Sequence, residues 1–426
     1  LQMRLPLQLG SSGALLAATA AVIGYSNPTV DRNATAMRLK KKREDRARDL
    51  VTRCMAVNGI PGLSVGVSVD GRQVWAEGFG FADIETGAPC TEYTVMRIAS
   101  ISKPITATVA AILVDRGLLD LDQPIQKYLP HLSIKSIDNT PITTRMLLSH
   151  TSGIRHYQKK GEDKIVGDGN APRTAEFYSN KPYATVDDAV QMFVNDELLA
   201  KPGTEFGYTT HGYTLASNVL ERASGNKFPV LLDDLFRRLG MRHTQLDRNA
   251  RIINDRAKYY LRSNGGRLEN TPEVDNSYKW AGGGILSCVG DLLIFANTVL
   301  YSNQCPAGAS DQAPLLSRET ATTFWKGEIK TSGNDMMGLG WVRVKVPEGG
   351  RAAGADGARP RGNTWLHTGA AIGASSALLI EPRADADASP QADGRARGVC
   401  VAVLANLQHC SVQGLAEELA ELFRDY

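Results

Sequence analysis

The stretch that decides the fold is "MRIASISKPITATVAAILVDRGLLDLDQPI", at residues 96–125. Proline is tolerated in the first turn of a helix, so Pro104 predicts a helix start just before it, near Ala99 or Ser100. The apolar run "ITATVAAILV" then carries this helix inward. Ser100 should therefore lie at the positive N-terminal end of a helix, where backbone N–H groups are free.

Lys103 follows three residues after Ser100, so both side chains should share one helix face. A neutral amine at this position could take the hydroxyl proton of Ser100 if burial and neighbouring positive dipoles lower its pKa. Serine is also a common N-cap residue and lysine is common anywhere, so Ser-x-x-Lys alone is a weak catalytic signal. Ser102 directly precedes Lys103 and should therefore lie on a different face of the helix, so we interpret it as a local turn residue.

An acyl-transferring serine also needs a second proton carrier. The segment "KPGTEFGYTTHGYTLASNVLE", at residues 201–221, places Tyr208 in a loop just before a predicted helix. Tyr208 and Thr210 could present a phenol and a hydroxyl into a cleft. The alternative is that Tyr208 is only packed in its loop, and this segment taken alone favours that alternative.

A third segment could supply an oxyanion hole. "TWLHTGAAIGASS", at residues 364–376, predicts a strand that ends in His367-Thr368-Gly369. We expect Gly369 to let a substrate approach the backbone, and the next N–H, of Ala370, could donate to an oxyanion. The alternative is a plain edge strand and turn.

The chain as a whole has a globular composition. It has 426 residues, of which 42% are apolar and 22% charged, and its net charge of +3 argues against a dedicated nucleic-acid surface. The six cysteines are scattered without a CxxC pair, which favours buried thiols over a disulfide framework. His150 and His156 lack a neighbouring cysteine or carboxylate cluster, so we expect loop packing for them, and no metal or cofactor.

Strand patterns lie at both ends of the chain and helical patterns between them. Residues 62–83 predict a β-hairpin around an Asp70-Gly71 turn, after a helix at 36–58. Strands return after residue 340, and an amphipathic helix closes the chain. This order predicts an α/β (α+β) fold: one antiparallel sheet built from both chain ends and flanked by terminal helices, with a large, mainly helical insertion at about 100–300. Flexible loops are expected at 158–181, 347–362 and 381–398.

The first residues differ from the rest. "GALLAATAAVIGY", at 13–25, is apolar but short for a membrane span, and it could belong to a secretory signal or to an organellar import region with possible membrane anchoring. The basic run at 38–50 is interpreted as a solvated helix face. We therefore divide the chain into a targeting and membrane-proximal segment, 1–45, and a catalytic domain, 46–426.

In this order, Ser-x-x-Lys, Tyr-x-Thr and His-Thr-Gly resemble the three motifs of the penicillin-binding-protein and serine β-lactamase family, Ser-x-x-Lys, Tyr-x-Asn and Lys-Thr-Gly. "LLSHTSGI" (147–154), "AGGGILSCVGDLLIFANTVL" (281–300) and "GLGWVRV" (338–344) are similar to its class C and esterase branch. The resemblance covers roughly residues 46–424.

The resemblance implies roles for individual residues. Ser100 would be the acyl-forming nucleophile, Lys103 its base and Tyr208 the second proton carrier. The N–H groups of Ser100 and Ala370 would form the oxyanion hole, and His367 would face the substrate together with the threonine that follows it.

Two departures from the family motifs bear on the substrate. Thr210 stands where the family usually has Asn, which puts the substrate-amide contact in doubt. His367 stands where Lys is frequent, and since histidine titrates near neutral pH, we expect any carboxylate binding there to depend on pH. Both departures fit a peptidase or esterase better than an antibiotic-hydrolysing β-lactamase.

"SHTSGIRHY" (149–157) and "NTPEVDNSYKWAGGG" (270–284) resemble the animal mitochondrial branch of this family more closely. That resemblance implies a serine protease of the intermembrane space that influences lipid metabolism and assembles into homo-oligomers or filaments, with a peptide or ester substrate. A secreted location, a filament-forming structural protein and a small-ester or lipid esterase are the alternatives.

Overall fold

The structure is a computed structural model that describes residues 28–157, 175–306, 313–331, 335–344, 363–383, 390–391 and 394–426, with side chains from Met37 onward. The apolar run 13–25 and the expected loop 347–362 lie outside these residues, as do most of 158–181 and part of 381–398. By its internal contacts the chain divides into Leu1–Asp45 and Arg46–Tyr426. No described helix is long and apolar enough to cross a membrane.

Among the described residues, helices were predicted near the start and the end of the chain, after Ser100 and after Tyr208, and the structure has a helix at each of these places. Most of the other helices fall in the middle region that was predicted to be mainly helical. The helices of the described residues are α1 (Pro28–Asn58), α2 (Ser102–Asp115), α3 (Thr144–Leu148), α4 (Val186–Val190), α5 (Thr210–Ser224), α6 (Phe228–Leu239), α7 (Trp280–Gly283), α8 (Val289–Gln304), α9 (Arg318–Trp325) and α10 (Gln413–Phe423).

The strands of the described residues form one large sheet and two small ones. They are β1 (Gly62–Val69), β2 (Arg72–Asp83), β3 (Ala88–Pro89), β4 (Met96–Arg97), β5 (Gln245–Leu246), β6 (Tyr260–Arg262), β7 (Leu268–Asn270), β8 (Ile285–Ser287), β9 (Ile329–Lys330), β10 (Met336–Met337), β11 (Val342–Val344), β12 (Thr364–Ala371), β13 (Ala374–Pro382) and β14 (Gly398–Ala405). The large sheet has the order β3-β2-β1-β14-β13-β12-β11-β10-β9, and every pairing in it is antiparallel.

Pairing of β1 with β14 joins the two ends of the chain, which confirms the predicted fold class. The hairpin turn has positive φ at both central residues, 50° at Asp70 and 75° at Gly71, as a type I′ turn requires. A two-residue turn of this kind matches the right-handed twist of the strands that it joins.

The sheet buries both of its faces, and β14 shows this by strict alternation. Val401 and Val403 pack with Leu419 of α10, whereas Ala402 and Leu404 pack in the core that holds α2 and α8. A strand covered on both faces is apolar throughout, so β14 reads as a continuous apolar run.

The expectation of a mainly helical middle was incomplete. Between α2 and α8 lie β5, β8 and the β6-β7 hairpin, and β5 and β8 form a small sheet with β4, which precedes α2. Their strands have two or three residues, too few to show an alternating pattern. The β4-β8 pairing matters for function, because β4 leads directly into the turn that carries Ser100.

Candidate active site

Ser100 lies in a tight 3-10 turn, Ala99–Ile101, that runs into α2. Ala99 has a φ of 51°, a left-handed conformation that costs a residue with a Cβ about 1–3 kcal/mol. Ser102 holds the turn together: its hydroxyl donates to the carbonyl of Ala99 at 2.7 Å and accepts from the N–H of Ile285 at 3.3 Å. The structural role expected for Ser102 is confirmed, and Ser100 is left half-buried with its hydroxyl available.

Lys103 is fully buried and lies beside Ser100. Its Nζ is 3.0 Å from the Oγ of Ser100, donates to the carbonyl of Gly282 at 2.7 Å and lies 3.5 Å from the Oγ1 of Thr210. Burial holds the pKa of Lys103 well below its usual value, and the nearby charge of Lys279 lowers it further. The amine is therefore neutral far more readily than an exposed lysine, as a general base must be.

Tyr208 also contacts the hydroxyl of Ser100. Its OH donates to the Oγ of Ser100 at 2.7 Å, and Lys103 Nζ lies 4.7 Å from the centre of its ring. Burial raises the pKa of Tyr208, and the bond to Ser100 offsets this only in part. The phenol is thus protonated at neutral pH and is placed to pass a proton at Ser100.

Two histidines hold the Tyr208 loop at the start of α5. The N–H of Thr209 donates to Nδ1 of His150 at 3.1 Å, and the N–H of Thr210 donates to Nδ1 of His156 at 3.3 Å. Both imidazoles must be neutral to accept, and burial lowers their pKa values, for His156 to about 3. They act as caps for backbone groups, which agrees with the loop packing expected for them. The described residues contain no cluster suited to a metal ion.

A buried ion network supports this loop, and sequence reasoning missed it. Arg155 binds Glu176 through two hydrogen bonds of 2.8 Å and Asp196 through one of 2.7 Å. The Oγ1 of Thr209 donates to the carbonyl of Arg155 at 2.6 Å, and His211 lies 3.1 Å from Glu176. The participants are far apart in sequence, so no local pattern could have revealed them.

Gly369 lies close to the protein's own backbone, a contact that was not foreseen for it. A Cβ at Gly369 would lie 2.5 Å from the carbonyl oxygen of Ile98, 2.9 Å from the Cβ of Ala99 and 2.2 Å from the Oγ of Ser376. The missing side chain therefore lets β12 pack against the nucleophile turn. Thr368 and Ala370, on either side, are exposed on β12.

His367 is buried rather than open to solvent. Its Nδ1–H donates to the carbonyl of Thr368 at 2.7 Å, and its Nε2 has no partner among the described residues. Burial, reinforced by the charge of Lys103, lowers the pKa of His367 to about 3. The expectation that His367 titrates near neutral pH is therefore wrong, since the imidazole is neutral there.

The glycine run 282–284 ends α7 and packs closely against the site. A Cβ at Gly282 would lie 2.6 Å from the Cγ2 of Thr210, and the carbonyl of Gly282 binds Lys103. Thr210 is buried in this contact. Its hydroxyl therefore lies on the lysine side of the site.

Lys279 is a second buried lysine near the site that sequence reasoning did not single out. Its Nζ lies 4.7–5.3 Å from the ring centres of Tyr157, Phe177 and Tyr278. Burial and the charge of Arg97 lower its pKa to about 7. In the sequence, only its position between aromatic residues in "SYKW" could have indicated that Lys279 is buried.

The arrangement matches a known family, whose β-lactamase model covers residues 47–422. The chain belongs to the β-lactamase family. This is a family of serine hydrolases, and the expected family membership is confirmed. Mouse and human mitochondrial serine β-lactamase-like protein LACTB are 36% and 35% identical, over 88% of this chain and 79% and 78% of theirs.

Solved structures confirm the β-lactamase fold. A class C β-lactamase has a TM-score of 0.64 at 20% identity and covers 90% of this chain and 96% of its own. The octameric penicillin-binding protein homologue from Pyrococcus abyssi has a TM-score of 0.68 at 23% identity and covers 88% of this chain and 75% of its own.

Proposed function

We propose that the protein is a serine peptidase that forms an acyl-enzyme on Ser100. One observation carries the proposal: the Oγ of Ser100 is within hydrogen-bond distance of both Lys103 Nζ, at 3.0 Å, and Tyr208 OH, at 2.7 Å. A base and a phenol, both in contact with the serine hydroxyl, are the two proton carriers that acyl transfer to serine needs.

In the proposed mechanism the neutral Lys103 accepts the hydroxyl proton while Ser100 Oγ forms a bond to the substrate carbonyl carbon. The N–H groups of Ser100 and Ala370 stabilise the oxyanion of the tetrahedral intermediate. As the intermediate collapses, Tyr208 donates its proton to the leaving nitrogen and recovers one from the ammonium of Lys103. Water then attacks the ester and its proton passes to the neutral Lys103, either directly or through Tyr208, which takes that proton as it hands its own to the lysine. As the second tetrahedral intermediate collapses, Ser100 leaves and takes a proton from the Lys103 ammonium.

A peptide substrate is favoured because an amine leaves only once it is protonated, and Tyr208 can donate at that point. The ester alternative has support from esterase EstB of Burkholderia gladioli, which is 30% identical over 41% of this chain and 44% of its own. Thr368 and Ala370 are exposed on β12 and would line the substrate path in either case.

Matched substrates test peptide against ester. We would measure kcat/KM for an amide and an ester with the same acyl group and similar leaving groups, in the wild type and in Ser100→Ala. A peptidase hydrolyses both, and both rates fall at least about 10³-fold in the variant. Hydrolysis of the ester alone would favour the esterase, and unchanged rates in the variant would contradict both.

We also propose that the protein acts in the mitochondrion, because its mouse and human relatives are named mitochondrial. More specifically, we propose that the protein lies in the intermembrane space, close to a membrane, and that it influences lipid metabolism. Protease protection of fractionated mitochondria tests the location: the protein should become digestible when only the outer membrane is opened. Lipid profiles of cells with and without Ser100→Ala test the influence.

Assembly into a homo-oligomer or filament is the second candidate function. Its support is the octameric state stated for the Pyrococcus abyssi homologue. Light scattering and electron microscopy of the wild type and Ser100→Ala test it. Large assemblies in both would show assembly without catalysis, and a monomer at every concentration would exclude it.

A further inference from the structure

A second cleft lies beside the catalytic turn. Its volume is about 420 Å³, within the range of small-ligand sites, and its walls come from residues 256–259 and 270–274 with Arg97 and Asn249 beside them. The acyl transfer described above makes no use of it.

Cations dominate the lining of this cleft. Arg97, Arg256 and Lys258 line it, and Glu273 is the opposing carboxylate of the lining. Arg97 Nε and Arg256 Nη2 both donate to one buried carboxylate, Asp247, at 2.8 Å and 2.6 Å. Two guanidinium groups thus share one carboxylate, and the positive charge in excess beside Asp247 favours an anionic ligand there. Elsewhere in the lining, Lys258 interacts with Asp83, and Asn270 donates to Glu85 at 2.6 Å.

The cleft adjoins the nucleophile turn through Tyr259. Tyr259 lines the cleft and packs in one apolar cluster with Ala99 and Ala371. Arg97, which lies under the Tyr259 ring, donates through Nη1 to the carbonyl of Ile372 at 2.8 Å. The end of β12 is therefore one wall of the path between the two sites.

An extended substrate has room along this path. Thr364–Leu366 pair with β11, whereas His367–Ala371 pair with β13 only, so the outer edge of β12 is free of a partner strand in the described part of the chain. A strand rises about 3.3 Å per residue, which makes the step from Ala370 to Ile372 about 7 Å. An acyl chain that starts at the oxyanion position reaches the cleft after two or three residues.

We infer that the cleft is a subsite for a carboxylate or phosphate group carried by the acyl part of the substrate, two to three residues from the scissile carbonyl. The inference rests on the proposed function, because it assumes that Ser100 is acylated. Arg97 and Arg256 supply fixed N–H donors, and the exposed Lys258 adds a third cation at the rim.

A matched substrate pair tests the inference. Two dipeptide anilides that differ only in the N-terminal cap, succinyl or its neutral amide, succinamyl, would be compared by kcat/KM, because the cap then occupies the third position from the scissile carbonyl. We expect about a tenfold preference for the succinyl substrate, which corresponds to one charge-assisted interaction. Lys258→Glu should abolish or reverse the preference, and Lys127→Glu, an exposed lysine outside the cleft lining, should leave it unchanged. Melting temperatures verify that both variants fold.

Inorganic phosphate separates a substrate subsite from a site for a free anion. It should compete with the succinyl substrate and not with the succinamyl one, and Lys258→Glu should remove the competition. Equal hydrolysis of both substrates overturns the inference and leaves the proposed function intact, even if phosphate binds. Hydrolysis of neither overturns the proposed function and the subsite with it.

Discussion

Lys103 Nζ lies 3.0 Å from Ser100 Oγ, and its remaining strong bond is to the carbonyl of Gly282 at 2.7 Å. No carboxylate is bonded to this amine within the described residues. Burial therefore favours the neutral form of Lys103, whose nitrogen can accept the proton of the serine hydroxyl. A buried and unpaired lysine weakens the fold, so its presence indicates a function.

Lys103→Met should lower kcat/KM by about 10²–10⁴-fold, because it removes the base and keeps the shape of the side chain. The melting temperature should stay equal or rise, because an apolar chain replaces a buried amine. Steady-state kinetics and calorimetry check both effects. Thr108→Val, on the same helix, is the control and should keep its activity. More than a tenth of wild-type activity in Lys103→Met would contradict a base role.

Tyr208→Phe should lower amide hydrolysis by about 10²–10³-fold and ester hydrolysis less, since an alkoxide or phenoxide leaves more easily than an amine. Tyr213→Phe is the matched control. The Tyr213 hydroxyl donates to the carbonyl of Leu148, so its loss should cost about 0.5–1.5 kcal/mol of stability and leave the chemistry intact. Equal losses for amide and ester in Tyr208→Phe would argue against proton donation to the leaving group.

Lys279→Met should move the acidic limb of the pH–rate profile to higher pH. The ammonium of Lys279 lowers the pKa of Lys103, so its removal raises that pKa, and more hydroxide is needed to produce the neutral base. The effect should be largest below about pH 7, where Lys279 is itself charged. Profiles of kcat/KM check the direction, with Lys181→Met as the surface control. A limb that stays in place or moves to lower pH would show that the two amines are not coupled.

Gly369→Ala should reduce activity at least about tenfold and lower stability by about 1–3 kcal/mol, because the new Cβ would force β12 away from Ile98 and Ala99. Gly414→Ala is the control, since a Cβ there meets nothing within 4 Å and alanine favours the helix. Thermal melts and kinetics compare the two. Full activity in Gly369→Ala would mean that the spacing between strand and turn does not set the site.

The sequence was sufficient for the elements whose signals are local. Pro104 placed the start of α2, the Asp70-Gly71 pair placed the first hairpin, and continuous apolar runs placed the central strands. Ser100 and Lys103 were predicted from one motif and Tyr208 from another, and the structure brings both Lys103 and Tyr208 into contact with Ser100.

What the sequence did not reveal depends on contacts across the fold. Glu176 meets Arg155 and His211 only in the folded chain, so their ion network has no sequence pattern. His367 is neutral because it is buried near Lys103, and the sequence alone does not show that this histidine is buried. The small strands β4, β5 and β8 are too short to show a period.

Covalent labelling tests the central claim most directly. The purified protein would be treated with a fluorophosphonate and analysed by intact mass and peptide mapping, beside Ser100→Ala and Ser102→Ala. We predict one adduct per chain, on Ser100, in the wild type and in any Ser102→Ala that folds, and none in Ser100→Ala. Equal labelling of the wild type and Ser100→Ala, or an adduct mapped to another serine, would contradict the account.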